Sequence, residues 1–418
     1  MQIRNAGIVA ALGAAVIAAC APKTADDPSS LQIENVSQDA LDAARLELEK
    51  RIASKSIAGG AHMVVRNGEV VYFHVAGVRD IEDRSPLEAD TIMRIYSMTK
   101  PITSVAAMTL WQQGKFKLDD PVSKYIPAFE NTRVLVQEGD STKLVSAQHP
   151  ITIRDVFRHS TGYTYGRETP ELFEHYETEG MLYDAEHGLF PPSMSIAEAA
   201  DSLARIPALH QPGATWTYGF STDLLGRLIE VWSGKAFDEY LQEAVFTPLE
   251  MVDTSFSVPK NKQDRFASCH KWANGEHFIA DKAATSPFLD GFEFLSGGGG
   301  LVSTMQDYAN FCQMLVDGGK FKGKRILEDS TVALMFTDQL SGVAGEFRFG
   351  LGFAIDDLEL GSGEAKRSVT VYSWGGYANT FFEIVPEANM FQLFMRQSIP
   401  HNHDVANAVF PLVYSGVD

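Results

Sequence analysis

Apolar residues recur at helical spacing from Leu41 through Ala44 and Leu48 to Ile52, just after Ser37, a residue type that caps helix starts by accepting a backbone N–H. The spacing predicts an amphipathic helix that ends before Gly59-Gly60. In AHMVVRNGEVVYFHVAG, two β-branched and aromatic runs flank Asn67-Gly68, whose easy positive φ suits a two-residue hairpin turn. Beyond Met98 the pattern turns helical. SVAAMTLWQQG closes on Gly114, LLGRLIEVWSG closes on Gly234, and FDEYLQEAVFTPL stops near Pro248. Strand-like runs return late, as FGLGFAI, SVTVYSWGG, TFFEIVP and MFQLFMRQS, ahead of a helix over about 403–415. Early strands, a helical middle and late strands predict an α/β protein of the α+β type. One antiparallel sheet flanked by helices is built from both chain ends, about 37–96 and 286–418, with a mostly helical insertion over about 97–285.

The opening stretch MQIRNAGIVAALGAAVIAAC joins an early Arg4 to an apolar run ending in small residues, which is the pattern of an export signal. Its tail, Val16-Ile17-Ala18-Ala19-Cys20, resembles the bacterial lipoprotein box. That resemblance implies cleavage before Cys20, lipidation of its side chain, and, with Ala21 in place of Asp, an outer-membrane anchor facing the periplasm. An uncleaved anchor helix is the alternative. Residues 21–36, APKTADDPSSLQIENV, have no apolar period and read as a flexible tether to a domain over 37–418.

With 418 residues and 45% hydrophobic content the chain can bury a large core. Its net charge of -19 repels a phosphate backbone and argues against nucleic acid as a partner. Contact with a membrane is expected only through the N-terminal lipid. Cys269 and Cys312 are free to pair in an oxidising compartment, yet a core of this size has no need of the bridge, and Cys312 in FCQMLV reads as a small buried hydrophobe.

The candidate chemistry sits in RIYSMTKPITS, residues 94–104, where Ser97 and Lys100 stand one helical turn apart. Serine needs a base to become a nucleophile, and a lysine serves as one only when its pKa falls from about 10.4. Burial lowers it, and so does the positive potential of a helix start. Pro101 fits such a first turn, and the same N–H groups favour an oxyanion.

The longer stretch MRIYSMTKPITSVAAMTLWQQGKFKLDDPVSKYIP resembles the nucleophile region of β-lactamase-like serine hydrolases, above all the family VIII carboxylesterases and the class C β-lactamases. Three further blocks follow in the family's order over residues 39–415: ITIRDVFRHSTGYTYG, HQPGATWTYGFSTDLLGRLIE, and SGGGGLVSTMQDYANFCQML running on to SWGG at 373–376. The resemblance implies a β-lactamase/transpeptidase-like fold and places Tyr218 at the catalytic tyrosine. It puts oxyanion donors on the backbone N–H groups of Ser97 and Tyr377. Whether Lys100 or Tyr218 takes the serine proton stays open, since the two titrate as a coupled pair.

Two departures bear on substrate. Trp374 stands where penicillin-recognising relatives usually carry a lysine for a substrate carboxylate, with Gly375 and Gly376 allowing close approach. Phe220 stands where class C enzymes have an asparagine. Both favour neutral esters over β-lactams, and Trp374, Gly375, Gly376 and Phe220 are the expected substrate-binding residues. The sequence has no G-x-S-x-G elbow, no H-E-x-x-H and no paired C-x-x-C, and His401 and His403 read as a solvated loop rather than a zinc site. No metal or cofactor is therefore expected. The expected activity is hydrolysis of a small-molecule ester or amide through an acyl-serine. The alternatives are a β-lactamase or D-alanyl-D-alanine peptidase, and a non-catalytic periplasmic binding lipoprotein.

Overall fold

The structure, a computed structural model, describes residues 36–417 apart from 140, 183–192, 274 and 346. The export signal, Cys20 and the tether up to residue 35 lie outside the described residues. Helix α1 spans Gln38–Ala53, with Ser37 Oγ accepting from the Ala40 N–H and Ala40, Leu41, Ala44 and Leu48 forming the buried stripe. Strands β1 (Gly59–Arg66) and β2 (Glu69–Gly77) pair antiparallel across Asn67 and Gly68, at φ 53° and 76°. Two successive positive φ values make the turn whose twist matches that of paired strands.

The remaining strands of this sheet come late: β3 (Arg348–Phe349), β4 (Ala354–Leu360), β5 (Arg367–Gly376), β6 (Thr380–Val385) and β7 (Met390–Met395). They join β1 and β2 in the order β3-β4-β5-β6-β7-β1-β2, every neighbour antiparallel. The FGLGFAI run does not form one strand. Gly350-Leu351-Gly352 turns the chain between β3 and β4, with Gly352 at φ 100°.

Among the further helices that cover the sheet and fill the insertion are α2 (Thr99–Gln112), α3 (Ser221–Ser233), α4 (Met305–Val316) and α5 (Ala406–Ser415). On one face, Leu41, Ala44 and Leu48 of α1 and Val409, Phe410 and Val413 of α5 pack on Val64, Val371 and Phe394. On the other, α4 lies against the sheet, with the Tyr308 and Phe382 rings 5.4 Å apart, and α2 and α3 continue that core into the insertion. Each buried leucine-sized side chain contributes about 1.5–3 kcal/mol, so this shared core fixes α2 firmly under the sheet end.

The insertion, expected to be mostly helical, also holds two antiparallel hairpins, Arg133–Glu138 with Ser141–Ser146 and Cys269–Ala273 with Glu276–Asp281. Both expose much of their length, so they lack the apolar runs that mark a core strand. Cys269 and Cys312 are free and buried. Among the described residues no helix is long and apolar enough to cross a membrane.

Candidate active site

Ser97 lies in a tight turn, Tyr96–Met98, that runs straight into α2. Tyr96 immediately before it has φ 41°, a left-handed conformation that a bulky residue adopts only under constraint. Three residues ahead of Ser97, the fully buried Arg94 anchors the approach. Its guanidinium meets Asp281 at 2.6 Å, donates to the Ala267 carbonyl at 2.6 Å and to Ser286 Oγ at 2.9 Å, and stacks 4.2 Å from the Phe266 ring centre.

Every residue of α2 from Thr99 to Leu110 is buried, Lys100 among them at 1% exposure. Its ammonium has three donors and uses all of them: Gly298 O at 2.6 Å, Tyr165 OH at 3.1 Å and Ser97 Oγ at 3.4 Å. Tyr218 OH donates to Ser97 Oγ at 2.7 Å, and Lys100 Nζ stands 4.5 Å from the centre of the Tyr218 ring. Hydroxyl, phenol and amine thus converge on one point, within the reach that proton transfer requires.

Asp223, in the first turn of α3 and five residues after Tyr218, ties this cluster to the glycine run. Its Oδ1 accepts from Ser296 Oγ at 2.5 Å and from the Gly298 N–H at 3.1 Å, while the Gly298 carbonyl receives Lys100. A Cβ at 298 would lie 2.6 Å from Asp223 Oδ2, so only glycine lets the loop close on the carboxylate. Burial pushes the Asp223 carboxyl above its ordinary range, opposed by the Lys100 charge. Behind Tyr218 sits His159, its ring centre 5.3 Å away, held neutral well below the usual imidazole range by burial and then by Lys100.

Ser97 opens into a cavity of about 610 Å³ whose walls include Tyr165, Trp216, Tyr218, Phe347, Trp374 and Tyr377. Among the described residues, Asp356 is the one formally charged side chain on that lining, and neither Lys nor Arg reaches it. Gly375 also lines it, and Tyr377 follows the end of β5 there. Two expectations need correction. Phe220 is fully buried behind Tyr165, 5.1 Å between ring centres, and is not on the wall, because α3 begins at Ser221 and turns the ring inward. Gly376 likewise faces the interior, where a Cβ would meet Thr380 Oγ1 and the Ile95 carbonyl. The His401–His403 loop, read as solvated, is exposed at His401 and Asn402 and also contributes both histidines to the wall.

Tyr165, His159 and Asp223 belong to the cluster and were not singled out from the sequence. Tyr165 and His159 both sit in the RHSTGYTYG block, whose glycines and serines read as a loop. Asp223 resembles any acidic residue favoured in a helix first turn. Among the described residues no group of three or more His, Cys, Asp and Glu side chains is placed to hold a metal.

A family model described as Beta-lactamase matches residues 44–407. Protein Rv1367c of Mycobacterium tuberculosis is 30% identical over 386 residues, covering 88% of this chain and 93% of its own length. Esterase EstB of Burkholderia gladioli is 26% identical over 382 residues, covering 85% and 90%. Among solved structures, simvastatin synthase (LovD) of Aspergillus terreus superposes with a TM-score of 0.74 at 25% identity, covering 91% of this chain and 98% of that one.

Proposed function

The chain belongs to the beta-lactamase family and is a serine hydrolase of that fold, and we propose that it is a carboxylesterase that cleaves short-acyl, uncharged esters through an ester on Ser97. The observation that carries this reading is the hydrogen-bonded set of Ser97, Lys100 and Tyr218 at the floor of a cavity walled by aromatic rings, with Trp374 where a carboxylate-binding cation would stand. Such walls suit apolar acyl and alcohol groups.

In the proposed mechanism, Ser97 Oγ attacks the substrate carbonyl carbon and its proton passes to the Tyr218–Lys100 pair. The carbonyl oxygen takes up the electron pair and is held by the backbone N–H groups of Ser97 and Tyr377. Collapse breaks the ester C–O bond, and the leaving oxygen receives the proton through Tyr218. Water then adds to the acyl-serine by the same route, and the acid departs. Acyl transfer to an alcohol in place of water is a second reading, supported by the likeness to simvastatin synthase and by a cavity with room for an acceptor beside the acyl group.

Ser97→Ala tests the proposal: turnover of short p-nitrophenyl esters disappears while the circular dichroism spectrum is retained, and full residual activity ends it. Comparing rates on nitrocefin and on a D-Ala-D-Ala peptide separates the esterase from its cell-wall relatives, and a transfer product with added alcohol reveals the second reading. The same proposal includes export and a lipid on Cys20, checked by the mass of the mature N-terminus.

A further inference from the structure

Side chains alternate along β5, and its register with the two cores assigns its faces. Tyr372 and Trp374 pack on the α2–α4 side, whereas Val369 and Val371 pack on the α1–α5 side. Ser373 and Gly375 therefore face α5, as do Asp356, opposite Val371, and Phe381, opposite Gly375. All four nevertheless line the cavity that holds Ser97. The register of β4 against β5 ends at Ala354 and Ser373, so β5 beyond Ser373 has no β4 partner, and the cavity wraps around that free edge onto both faces.

The lobe on the far face is built rather than left over. His403 lies flat against β5 in the space a side chain at 375 would occupy, so that any Cβ there would collide with its ring. Its ring packs 4.5 Å from Phe381, and its backbone is in the left-handed region at φ 48°. A buried Asn379 enforces that conformation: Oδ1 accepts from the N–H groups of Asn402 at 2.9 Å and His403 at 2.8 Å, and Nδ2 donates to the carbonyls of Ser398 at 2.5 Å and Pro400 at 3.1 Å. Arg396 pins the same loop through Asn402 and Asp404. Strain maintained by this many contacts is a mark of a functional position.

The chemistry of this lobe differs from that of the aromatic one. His401 and His403 meet through their Nε2 atoms at 2.6 Å, and the buried His403 Nδ1 has no partner among the described residues. Burial holds both rings below the usual imidazole range, so at neutral pH the pair joined through Nε2 keeps one donor and one acceptor between its two Nδ1 atoms. With the Asp356 carboxylate and the Ser373 hydroxyl they make a wall of hydrogen-bonding groups without a cation among the described residues.

Resting on the esterase reading above, we infer that this lobe, made by Asp356, Ser373, His401 and His403, is a subsite for a hydroxylated, uncharged half of the ester, of glycerol or sugar type, while the aromatic lobe takes the apolar half. A site built to hydrogen-bond hydroxyls discriminates against an analogue that lacks them, because its own polar groups are then left unpaired.

Two matched pairs test this and identify the half concerned: glyceryl monobutyrate against propyl butyrate for the alcohol side, and methyl 3,4-dihydroxybutyrate against methyl butyrate for the acyl side. The expected result is a preference of about tenfold in kcat/KM for the hydroxylated member of one pair. That ratio should fall to near one in His403→Phe, which keeps a flat ring over Gly375. Ratios near one for both pairs in the unaltered enzyme overturn the inference without any variant, and so does a ratio that His403→Phe leaves unchanged. If the plain esters are hydrolysed without preference, the esterase reading survives alone; if no ester is turned over and Ser97 is never acylated, both fail together.

Discussion

Glu383 on β6 offers a test of the fold that is independent of any substrate. Its side chain is half-buried between the sheet and α5, where Tyr414 OH donates to Oε2 at 2.7 Å. Burial raises its pKa from 4.5 to about 7, the Tyr414 bond opposes the rise, and the nearby Asp356 charge adds to it. In the unfolded chain the same group releases its proton near the ordinary value. Between these two values the folded state binds more protons than the unfolded one, so stability falls as pH rises through the window from 4.5 to about 7 and the loss is complete above it. At about 1.4 kcal/mol per tenfold change in proton affinity, the gap makes at most ~3 kcal/mol.

Glu383→Gln is the matching perturbation, since the amide keeps an acceptor for Tyr414 and never ionises. Urea unfolding of the two proteins at pH 5 and pH 8 gives the difference directly, and pH effects from other groups cancel between them. The variant is expected to match the parent within about 1 kcal/mol at pH 5 and to exceed it by about 2–3 kcal/mol at pH 8. Parallel pH dependence in the two proteins refutes the argument.

Three further outcomes follow from the site. Tyr218→Phe keeps the ring packed 5.6 Å from Trp374 and 5.9 Å from Trp216 but removes the phenol from Ser97, so kcat should fall by about 10²–10⁴ with little change in melting temperature; undiminished kcat contradicts its role in proton transfer. Lys100→Met removes the donor to the Gly298 carbonyl and the charge that offsets Asp223, so it should abolish ester turnover and lower stability by about 1–3 kcal/mol; retained turnover in a p-nitrophenyl assay contradicts its role. Arg94→Met strands Asp281 opposite an apolar side chain and should cost about 3–5 kcal/mol in urea unfolding; a loss under about 1 kcal/mol would show that the pair at 2.6 Å does little.

The elements legible in the sequence are those whose cause is local. Ser37 caps α1 and Asn67-Gly68 turns the first hairpin through their own backbone preferences, and Gly234 ends α3 at φ 72°. Where the cause is tertiary the reading fails. FGLGFAI is apolar throughout, yet Gly350 and Gly352 break it because the chain must pass Met335 and Ser104 closely, a contact that no window of sequence contains. The 133–146 ribbon carries the β-branched residues Val134, Val136 and Val145, but it lies largely on the surface and, Val134 apart, core burial does not reinforce the pattern. The C-terminal helix starts at Ala406 rather than at 403, because residues 402–403 are held in the loop by Asn379.

The same division explains which parts of the site could be read. Ser97 and Lys100 share one turn of chain, so their spacing alone suggests the pair, whereas Gly298, Asp223 and Tyr165 reach the lysine only through folding. The strongest local signal was a conflict. A helix buried from Thr99 to Leu110 reads as continuous core, and a lysine within it violates the pattern that specifies the helix. Burying an ammonium is costly unless every donor is met, and here a carbonyl, a phenol and a hydroxyl meet all three. None of these acceptors is a carboxylate. The nearest one, Asp223, acts on the lysine across the Gly298 peptide, accepting its N–H while the carbonyl of the same residue accepts the ammonium. A ring of neutral acceptors thus satisfies the buried ammonium with no carboxylate among its three hydrogen-bond partners. The residue that breaks the helix pattern is thereby held within hydrogen-bond reach of the Ser97 hydroxyl, the geometry that activation of a serine nucleophile requires.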